Sequence, residues 1–313
     1  MTKVREFREK DRLTQPLLIK SCVKGVTQKG APYLNLALQD NTGIIDGKLW
    51  DAKPEDMQNA VAGHVAELSF EVLEYNNNLQ LRVNRIRDLD QDAVDLSEYV
   101  MSSRMSREEQ KQKINGYICS ISNANLKTLV QGMYDKVGKK FYDYPAASRI
   151  HHNYLGGLAE HTLGMAALAE DVAGLYPFLN RDLLISGVLV HDLGKTAELG
   201  GVISSEYTEE GRLTGHISIG HGWLMEVAEQ KGLEHTEEAL LLRHMILSHH
   251  GKQEFGSPVL PEVPEAEALS LIDNMDARMN TLNQTLSTVK PGQWSQRLFA
   301  LENRQFYRSK LEK

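Results

Sequence analysis

The residues of this chain with the clearest chemical potential are its histidines, because ten of the eleven lie after residue 150. Several of them end apolar segments, as in LAEHTLG, VLVHDLGK, LTGHISIG and LSHHG, and SLIDNMDA adds carboxylates. Burying so many titratable groups without a common partner would cost much free energy. The pattern therefore predicts a shared metal cluster, and imidazole with carboxylate suits Mn, Fe, Co, Ni or Zn better than Ca or Mg alone. The candidate ligands are His161, His191, Asp192, His216, His249, His250 and Asp273.

The segment SGVLVHDLGKTAEL places a histidine, a carboxylate and a lysine at the end of an apolar run. Asp192 has two carboxylate oxygens and could bridge two metal ions. Lys195 follows Asp192 by three residues and His191 by four, which is the same side of a helix. We predict catalytic roles for Asp192 and Lys195, with the lysine meeting a phosphate oxygen as a point charge. The alternative for Lys195 is a salt bridge to a neighbouring carboxylate.

The elements that must position these residues are helical from about residue 106 onward. Ser106 and Glu109 have the spacing of a capping box at the first helix. Apolar periodicity predicts the helices, and the domain they form is all-α. The predicted segments are 106–121, 123–138, 156–175, 181–195, 215–232, 236–251 and 264–280.

The first 92 residues are strand-like instead. Leu34, Leu36 and Leu38 alternate with polar or small residues, which is typical of a half-buried strand. Five strands with a short helix at 54–62, between the third and the fourth, have the order of an OB-fold barrel. We therefore predict a multi-domain protein: an N-terminal all-β OB-fold barrel at 1–92, a linker at 93–105, and an all-α domain with a C-terminal tail at 106–313.

Outward-facing residues of the barrel are candidates for binding single-stranded nucleic acid. If the leucines of the second strand point inward, Tyr33 points outward and could stack on a base. Lys48 and Trp50 share a parity on the next strand and could lie on the same surface. Ordinary packing is the alternative for each aromatic residue.

Composition limits the function classes. A net charge of −7 argues against holding duplex nucleic acid by a basic surface. Divalent cations could still neutralise phosphates locally. Cys22 and Cys119 are far apart, which favours a reducing compartment. The N-terminal residues have no apolar signal-peptide region and no apolar run approaches 18 residues, so we expect a cytoplasmic protein without a membrane span.

The ordered set H…HD…H…HH…D resembles the HD-domain superfamily of metal-dependent phosphohydrolases. With the OB-fold in front, and with the segments PAASRIHHNYLGGLAEHTLGMA and HMILSHHGKQEFGSP, the chain closely resembles the YhaM family of bacterial 3′–5′ exoribonucleases. The resemblance covers nearly the full length.

This resemblance implies two divalent ions, with Mn²⁺ expected, that share Asp192. His161, His191 and Asp273 would complete one site, and His216 with His249 and His250 the other. A hydroxide between the ions would attack the terminal phosphodiester and release nucleoside 5′-monophosphates from the 3′ end. His151 and His152 could contact the terminal nucleotide or simply lie on the surface.

Two other functions stay open at this point. One is an HD phosphohydrolase of small nucleotides, and the other is a single-stranded-DNA-binding accessory factor of replication. The expected partner is single-stranded RNA, with single-stranded DNA left open, because contacts to a 2′-hydroxyl cannot be read from sequence. Assembly into a homo-oligomer is also left open.

Overall fold

The structure is a computed structural model that describes residues 1–27, 30–75, 78–146, 154–201 and 207–311. The chain divides into two compact units, Met1–Ser102 and Ser103–Lys313. The division falls inside the predicted linker at 93–105. No helix of the described ranges is long and apolar enough to cross a membrane.

The first unit is a closed five-stranded barrel with the strand order β1-β2-β3-β5-β4. All pairings are antiparallel except that of β3 with β5. A short helix, α1, joins β3 to β4, so the unit has the predicted OB-fold order. The elements are β1 (Arg12–Val26), β2 (Pro32–Asp40), β3 (Gly43–Trp50), α1 (Pro54–Asn59), β4 (Val65–Tyr75) and β5 (Asn78–Asp88).

The barrel is held together by the inward side of the alternating strands. Leu34, Leu36 and Leu38 are 0%, 3% and 0% exposed, so the predicted orientation of β2 is confirmed. Leu68 and Phe70 fill the interior from β4. Because side chains alternate along a strand, the residues between these leucines must face outward.

The second unit is helical, and one continuous apolar core lies between its helices. Ser106 caps the first of them by accepting a hydrogen bond from the Glu109 backbone N–H at 3.2 Å, as the capping-box spacing indicated. The helices are α2 (Arg107–Ser120), α3 (Ala124–Val137), α4 (Gly157–Leu175), α5 (Arg181–Val190), α6 (Lys195–Glu198), α7 (Glu209–Lys231), α8 (Glu237–Ser248) and α9 (Pro264–Thr288).

Three predicted helix bounds differ from the structure by five residues or more. The predicted helix 181–195 ends at Val190, and a turn precedes the separate helix α6. The predicted helix 215–232 begins earlier, at Glu209, and is kinked at Gly215, whose φ of +71° suits glycine. The predicted helix 264–280 continues to Thr288. The prediction ended it too early because the last turns of the helix have no apolar stripe. The turn after Val190 matters most, since it carries the His–Asp pair.

The C-terminal tail packs back on α9. Arg278 of α9 forms a two-point ion pair with Glu302, at 2.7 and 3.0 Å. Arg308 donates to the Leu286 carbonyl at 3.0 Å. An isolated antiparallel bridge pairs Trp294 with Tyr307. The tail is therefore part of the helical unit.

Candidate metal centre

The predicted His–Asp pair lies in a buried turn at the end of α5. The last eight residues of that helix, 183–190, are all buried, so the chain enters the turn from inside the core. His191 and Asp192 are 0% and 3% exposed. Gly194 makes the turn possible, because a Cβ at that position would lie 2.1 Å from the His216 carbonyl oxygen. This close backbone contact brings Asp192 beside α7.

Asp192 lies between two sets of histidines. Its Oδ2 is 3.2 Å from His191 Nε2 and 3.8 Å from His161 Nε2. Its Oδ1 is 3.5 Å from His216 Nε2 and 3.6 Å from His249 Nε2. The two oxygens of one carboxylate therefore face different histidine pairs, which is the geometry that a bridging ligand requires.

The remaining predicted ligands complete two groups around this carboxylate. Within each group, one ligand atom per residue lies within 4.8 Å of every other. Both members of the His249–His250 pair belong to the same group. The structure thus brings together all seven side chains that the sequence analysis named. The groups are His161, His191 and Asp273, and His216, His249 and His250.

Each of the five histidines has its Nδ1 at a fixed acceptor, so the Nδ1 atom carries the proton. Its Nε2 then faces the group and is the atom that can coordinate a metal, in the arrangement typical of metal-binding histidines. A backbone carbonyl accepts in three cases and a carboxylate in two. The acceptors are Val188 O for His191, Ile246 O for His249 and Phe255 O for His250, each at 2.8 Å, Glu198 Oε1 for His216 at 3.0 Å, and Asp276 Oδ2 for His161 at 2.7 Å.

The inward-facing atoms fit a cation. The Nε2 atoms of His191, His216 and His249 and the Oδ1 atom of Asp192 are buried, and no residue of the described ranges forms a hydrogen bond with them. Unpaired buried polar atoms are costly and call for a partner. All four are electron-pair donors, so a divalent ion satisfies them where another hydrogen-bond acceptor could not. The donor set of imidazole and carboxylate suits first-row transition metals.

Neighbouring charges set the pKa values around the first group. Burial by itself lowers the pKa of His161, but hydrogen bonds with Asp273 and Asp276 outweigh burial and raise it to about 9. Burial raises the pKa of Asp192, yet the charges of Lys195 and His191 hold that pKa well below its usual range. Lys195 is buried as well, and its pKa is raised by Asp192, so the lysine stays charged.

The second group has a different electrostatic character. Burial and the neighbouring His249 lower the pKa of His250 to about 4. Burial also lowers the pKa of His249. These two imidazoles are therefore neutral near pH 7 and ready to coordinate a metal, whereas His161 must first lose a proton.

Lys195 lies beside Asp192 as predicted, although the helix that was expected to place them on one side ends at Val190. Lys195 Nζ is 2.6 Å from Asp192 Oδ2. The lysine therefore forms the salt bridge that was the alternative prediction, and its partner is Asp192. The lysine side chain is 11% exposed and can reach a ligand at the centre. Its catalytic role stays a prediction.

Asp276 and Glu198 accept hydrogen bonds from the Nδ1 atoms of two candidate ligands, His161 and His216. Asp276 hydrogen bonds His161, while Arg278 two residues later pairs with Glu302. Glu198 was missed by the sequence analysis. It is the last residue of the short helix α6, and no local pattern separates it from a solvent-exposed glutamate.

Two further histidines of this unit, His221 and His244, belong to neither group. His221 accepts a hydrogen bond from Arg243 at 3.2 Å, and His244 accepts one from the Glu262 backbone N–H at 2.9 Å. Both therefore have structural partners. His151 and His152 lie outside the described residues.

On the barrel, the predicted nucleic-acid-binding residues form one patch, in which Trp50 is exposed and Tyr33 and Lys48 are half-buried. Tyr33 and Trp50 are paired across β2 and β3, and their ring centroids are 5.1 Å apart. The Tyr33 ring covers Gly25, where a Cβ would lie 2.4 Å from it. Lys48 Nζ is 5.2 Å from the Trp50 ring centroid, and Trp50 is 48% exposed. We call Tyr33, Lys48 and Trp50 the aromatic platform.

Comparison with known proteins supports this geometry. Residues 158–278 match the family model of the HD domain, and this range includes all seven candidate ligands. The chain is 46% identical over 293 residues to the 3′–5′ exoribonuclease YhaM of Geobacillus sp. (strain WCH70), which covers 93% of this chain and 90% of that protein. The chain belongs to the YhaM family.

As a YhaM-family member with an HD domain, the chain is a hydrolase that acts on phosphodiester bonds. The barrel has a solved neighbour, the second OB-fold domain of replication protein A from Methanococcus maripaludis. That match has 22% identity and a TM-score of 0.23, and it covers 30% of this chain and 97% of the neighbour. At that score the OB-fold assignment rests on the strand order of the barrel itself.

Proposed function

We propose that this chain is a metal-dependent 3′–5′ exoribonuclease that degrades single-stranded RNA to nucleoside 5′-monophosphates. The observation that carries the proposal is the position of Asp192, whose two oxygens face two histidine groups inside an HD domain. The named activity of the 46% identical relative supplies the substrate and the polarity.

The seven ligands would hold two divalent ions, one in each group, with Asp192 shared. We propose Mn²⁺, while Co, Fe, Ni or Zn would satisfy the same donor set. Bound ions of this kind polarise a phosphoryl oxygen and supply an activated water.

The side chains of this chain have distinct roles in that reaction. Glu198 and Asp276 fix the orientation of His216 and His161. Lys195, held charged beside Asp192, would bind a non-bridging phosphate oxygen and stabilise its charge. His151 and His152 would contact the 3′-terminal nucleotide.

The barrel would hold the single strand. Stacking of bases on Tyr33 and Trp50 tolerates any sequence, and Lys48 adds a positive charge beside the rings. This division of labour suits an enzyme of general RNA degradation. Cys22 and Cys119 are both free thiols, which suits a reducing compartment such as the cytoplasm.

The test is digestion of one oligoribonucleotide in three forms, with a free 3′ end, a blocked 3′ end or a blocked 5′ end, across a panel of divalent ions. We expect stepwise shortening of the first and third only, with 5′-monophosphate products and with loss of activity in Asp192→Asn. A matched DNA oligonucleotide and free nucleotides test the alternatives. Faster hydrolysis of free nucleotides than of RNA would refute the exonuclease proposal, as would digestion from the 5′ end.

A further inference from the structure

A line of charged residues crosses the outside of the barrel. Arg12 of β1 pairs in register with Glu71 of β4, Glu71 with Arg82 of β5, and Arg82 with Lys48 of β3. The side chains of Arg12 and Arg82 are 79% and 50% exposed. Neighbouring strands are about 4.8 Å apart, so the line spans three such steps around the barrel.

Glu71 fixes the two arginines. Its Oε1 accepts hydrogen bonds from Arg12 Nε and Nη2, at 3.2 Å each, and its Oε2 accepts one from Arg82 Nη2. The Glu71 side chain is only 11% exposed, which is low for an ordinary surface ion pair. We call Arg12, Glu71 and Arg82 the arginine clamp.

The two guanidinium groups of the clamp have N–H donors that Glu71 does not use and that could bind an anion. A guanidinium carries five N–H donors, and Glu71 takes two from Arg12 and one from Arg82. Within the described part of the barrel no other hydrogen bond engages these two groups. One carboxylate offsets only one of the two arginine charges, and Lys48 adds a further positive charge.

Space for a ligand lies beside the clamp. A groove of about 460 Å³ runs along β1, β4 and β5 at this position, and hydroxyl and amide groups share its lining with the clamp. Thr14 and Ser69, which contact each other at 2.9 Å, lie on one side, and Asn84 lies on the other. On the far side of Arg82, Lys48 leads to the aromatic platform.

We propose that the arginine clamp binds the phosphodiester backbone of a single-stranded RNA whose bases stack on Tyr33 and Trp50. The strand then crosses β3, β5, β4 and β1, instead of lying on β2 and β3 alone. Planar guanidinium groups suit phosphate oxygens, and aromatic platforms beside cationic grooves are how single strands are held without sequence preference. The inference rests on the proposed function, because it needs RNA as the substrate.

The first test measures binding of a fluorescein-labelled 20-nucleotide oligoadenylate to the full-length protein without divalent metal, by anisotropy at several salt concentrations. The double variant Arg12→Gln/Arg82→Gln should bind at least tenfold more weakly. The plot of log K against log salt should become shallower, with a slope smaller in magnitude by about 1.4, since each phosphate contact to a single strand contributes about 0.7.

The matched control is Arg87→Gln, which lies on the same strand as Arg82 and pairs with Glu67 at 2.9 Å, outside the clamp. We expect its affinity to stay within twofold of the wild type. Equal affinity of the double variant and the wild type, or an equal loss in the control, would overturn the inference.

The second test separates a fixed clamp from simple positive charge. Glu71→Gln makes the surface more positive, so charge alone predicts tighter binding. A clamp held by Glu71 predicts at least threefold weaker binding, because both guanidinium groups lose their anchor. Tighter or unchanged binding would refute the clamp. Unfolding curves of all variants should remain single and cooperative, which shows that the barrel is folded in each of them.

A third comparison distinguishes this inference from the proposed function. With metal present, a dinucleotide has a single phosphodiester, which must lie at the metal centre to be hydrolysed, so none is left for the clamp and all variants should degrade it like the wild type. The double variant should show a raised KM for the 20-nucleotide RNA with unchanged kcat. If the wild type degrades neither RNA, the proposed function is wrong. If it degrades both and the double variant has the wild-type KM, only the clamp is wrong.

Discussion

Gly164 allows Asp276 to reach His161, and replacing it tests the architecture of the first metal group. A Cβ at Gly164 would lie 2.7 Å from Asp276 Oδ1, while ordinary contacts begin near 3.4 Å. In Gly164→Ala the carboxylate must therefore retreat by about 0.7 Å or rotate away. Either movement breaks the 2.7 Å hydrogen bond between Asp276 Oδ2 and His161 Nδ1.

The expected cost is specific to metal binding. Loss of a carboxylate behind a metal-binding histidine typically reduces metal affinity 10- to 100-fold, which corresponds to about 1.4–2.7 kcal/mol. Stability should not fall in parallel, because alanine is favoured over glycine in a helix interior by up to about 1 kcal/mol. We expect weaker Mn²⁺ binding by calorimetry, together with a shift of the hydrogen-bonded His161 Nδ1 proton resonance in the metal-free protein.

Two controls make the outcome decisive. Gly174 lies on the same helix with nothing within 4 Å of its would-be Cβ, so Gly174→Ala should bind metal like the wild type. In an Asp276→Ala background the clash is gone, and Gly164→Ala should have no further effect. A full additional loss in that background, or normal metal affinity in the single variant, would refute the reasoning.

Three further predictions concern the metal centre. The pKa of His161 is about 9, so metal binding to the first group should release close to one proton at pH 7. The affinity of that group for metal should therefore rise about tenfold per pH unit up to pH 9. The pKa of His250 is about 4, so His250 adds no such dependence above pH 6. Calorimetry in two buffers of different ionisation enthalpy measures this, and no proton release between pH 6 and 8 would contradict it. Gly194→Ala places a Cβ 2.1 Å from the His216 carbonyl oxygen and should unfold at a temperature several degrees lower, while Gly222→Ala on α7, with open space around it, should be neutral or stabilising in the same thermal scan. Saturating Mn²⁺ at about 100 times its Kd should stabilise the protein by about 2.7 kcal/mol, reversed by chelation, and an unchanged unfolding midpoint would argue against a metal site.

The barrel was predictable from sequence because its evidence is local. Strict alternation of Leu34, Leu36 and Leu38 fixes which face of β2 is buried, and the order of strands and one helix then allows few topologies. The outward position of Tyr33 follows from the same period. Pairing of Glu71 with two arginines was not predictable, because it depends on the register between strands that are distant in sequence.

The cluster of seven candidate ligands was predictable in membership but not in geometry. Unusual chemistry on apolar helices identified the ligands, and the family resemblance divided them into two groups. The helix end at Val190 was missed because neither glycine nor proline follows at once, and the turn is set by the contact of Gly194 with α7. Glu198 was missed for the related reason that only tertiary contact with His216 distinguishes it.

The distribution of charge explains how an acidic chain can act on a polyanion. Around the metal centre four carboxylates, those of Asp192, Glu198, Asp273 and Asp276, face Lys195 and a protonated imidazole, so the local charge is negative and attracts divalent cations rather than RNA. Under the proposed function, two such cations would reverse that sign at the place where a phosphodiester enters. The barrel has no equivalent cavity for metal in its described residues, and there the positive charge comes from side chains. A net charge of −7 is therefore compatible with RNA binding, because each surface that would touch the backbone has its own source of positive charge.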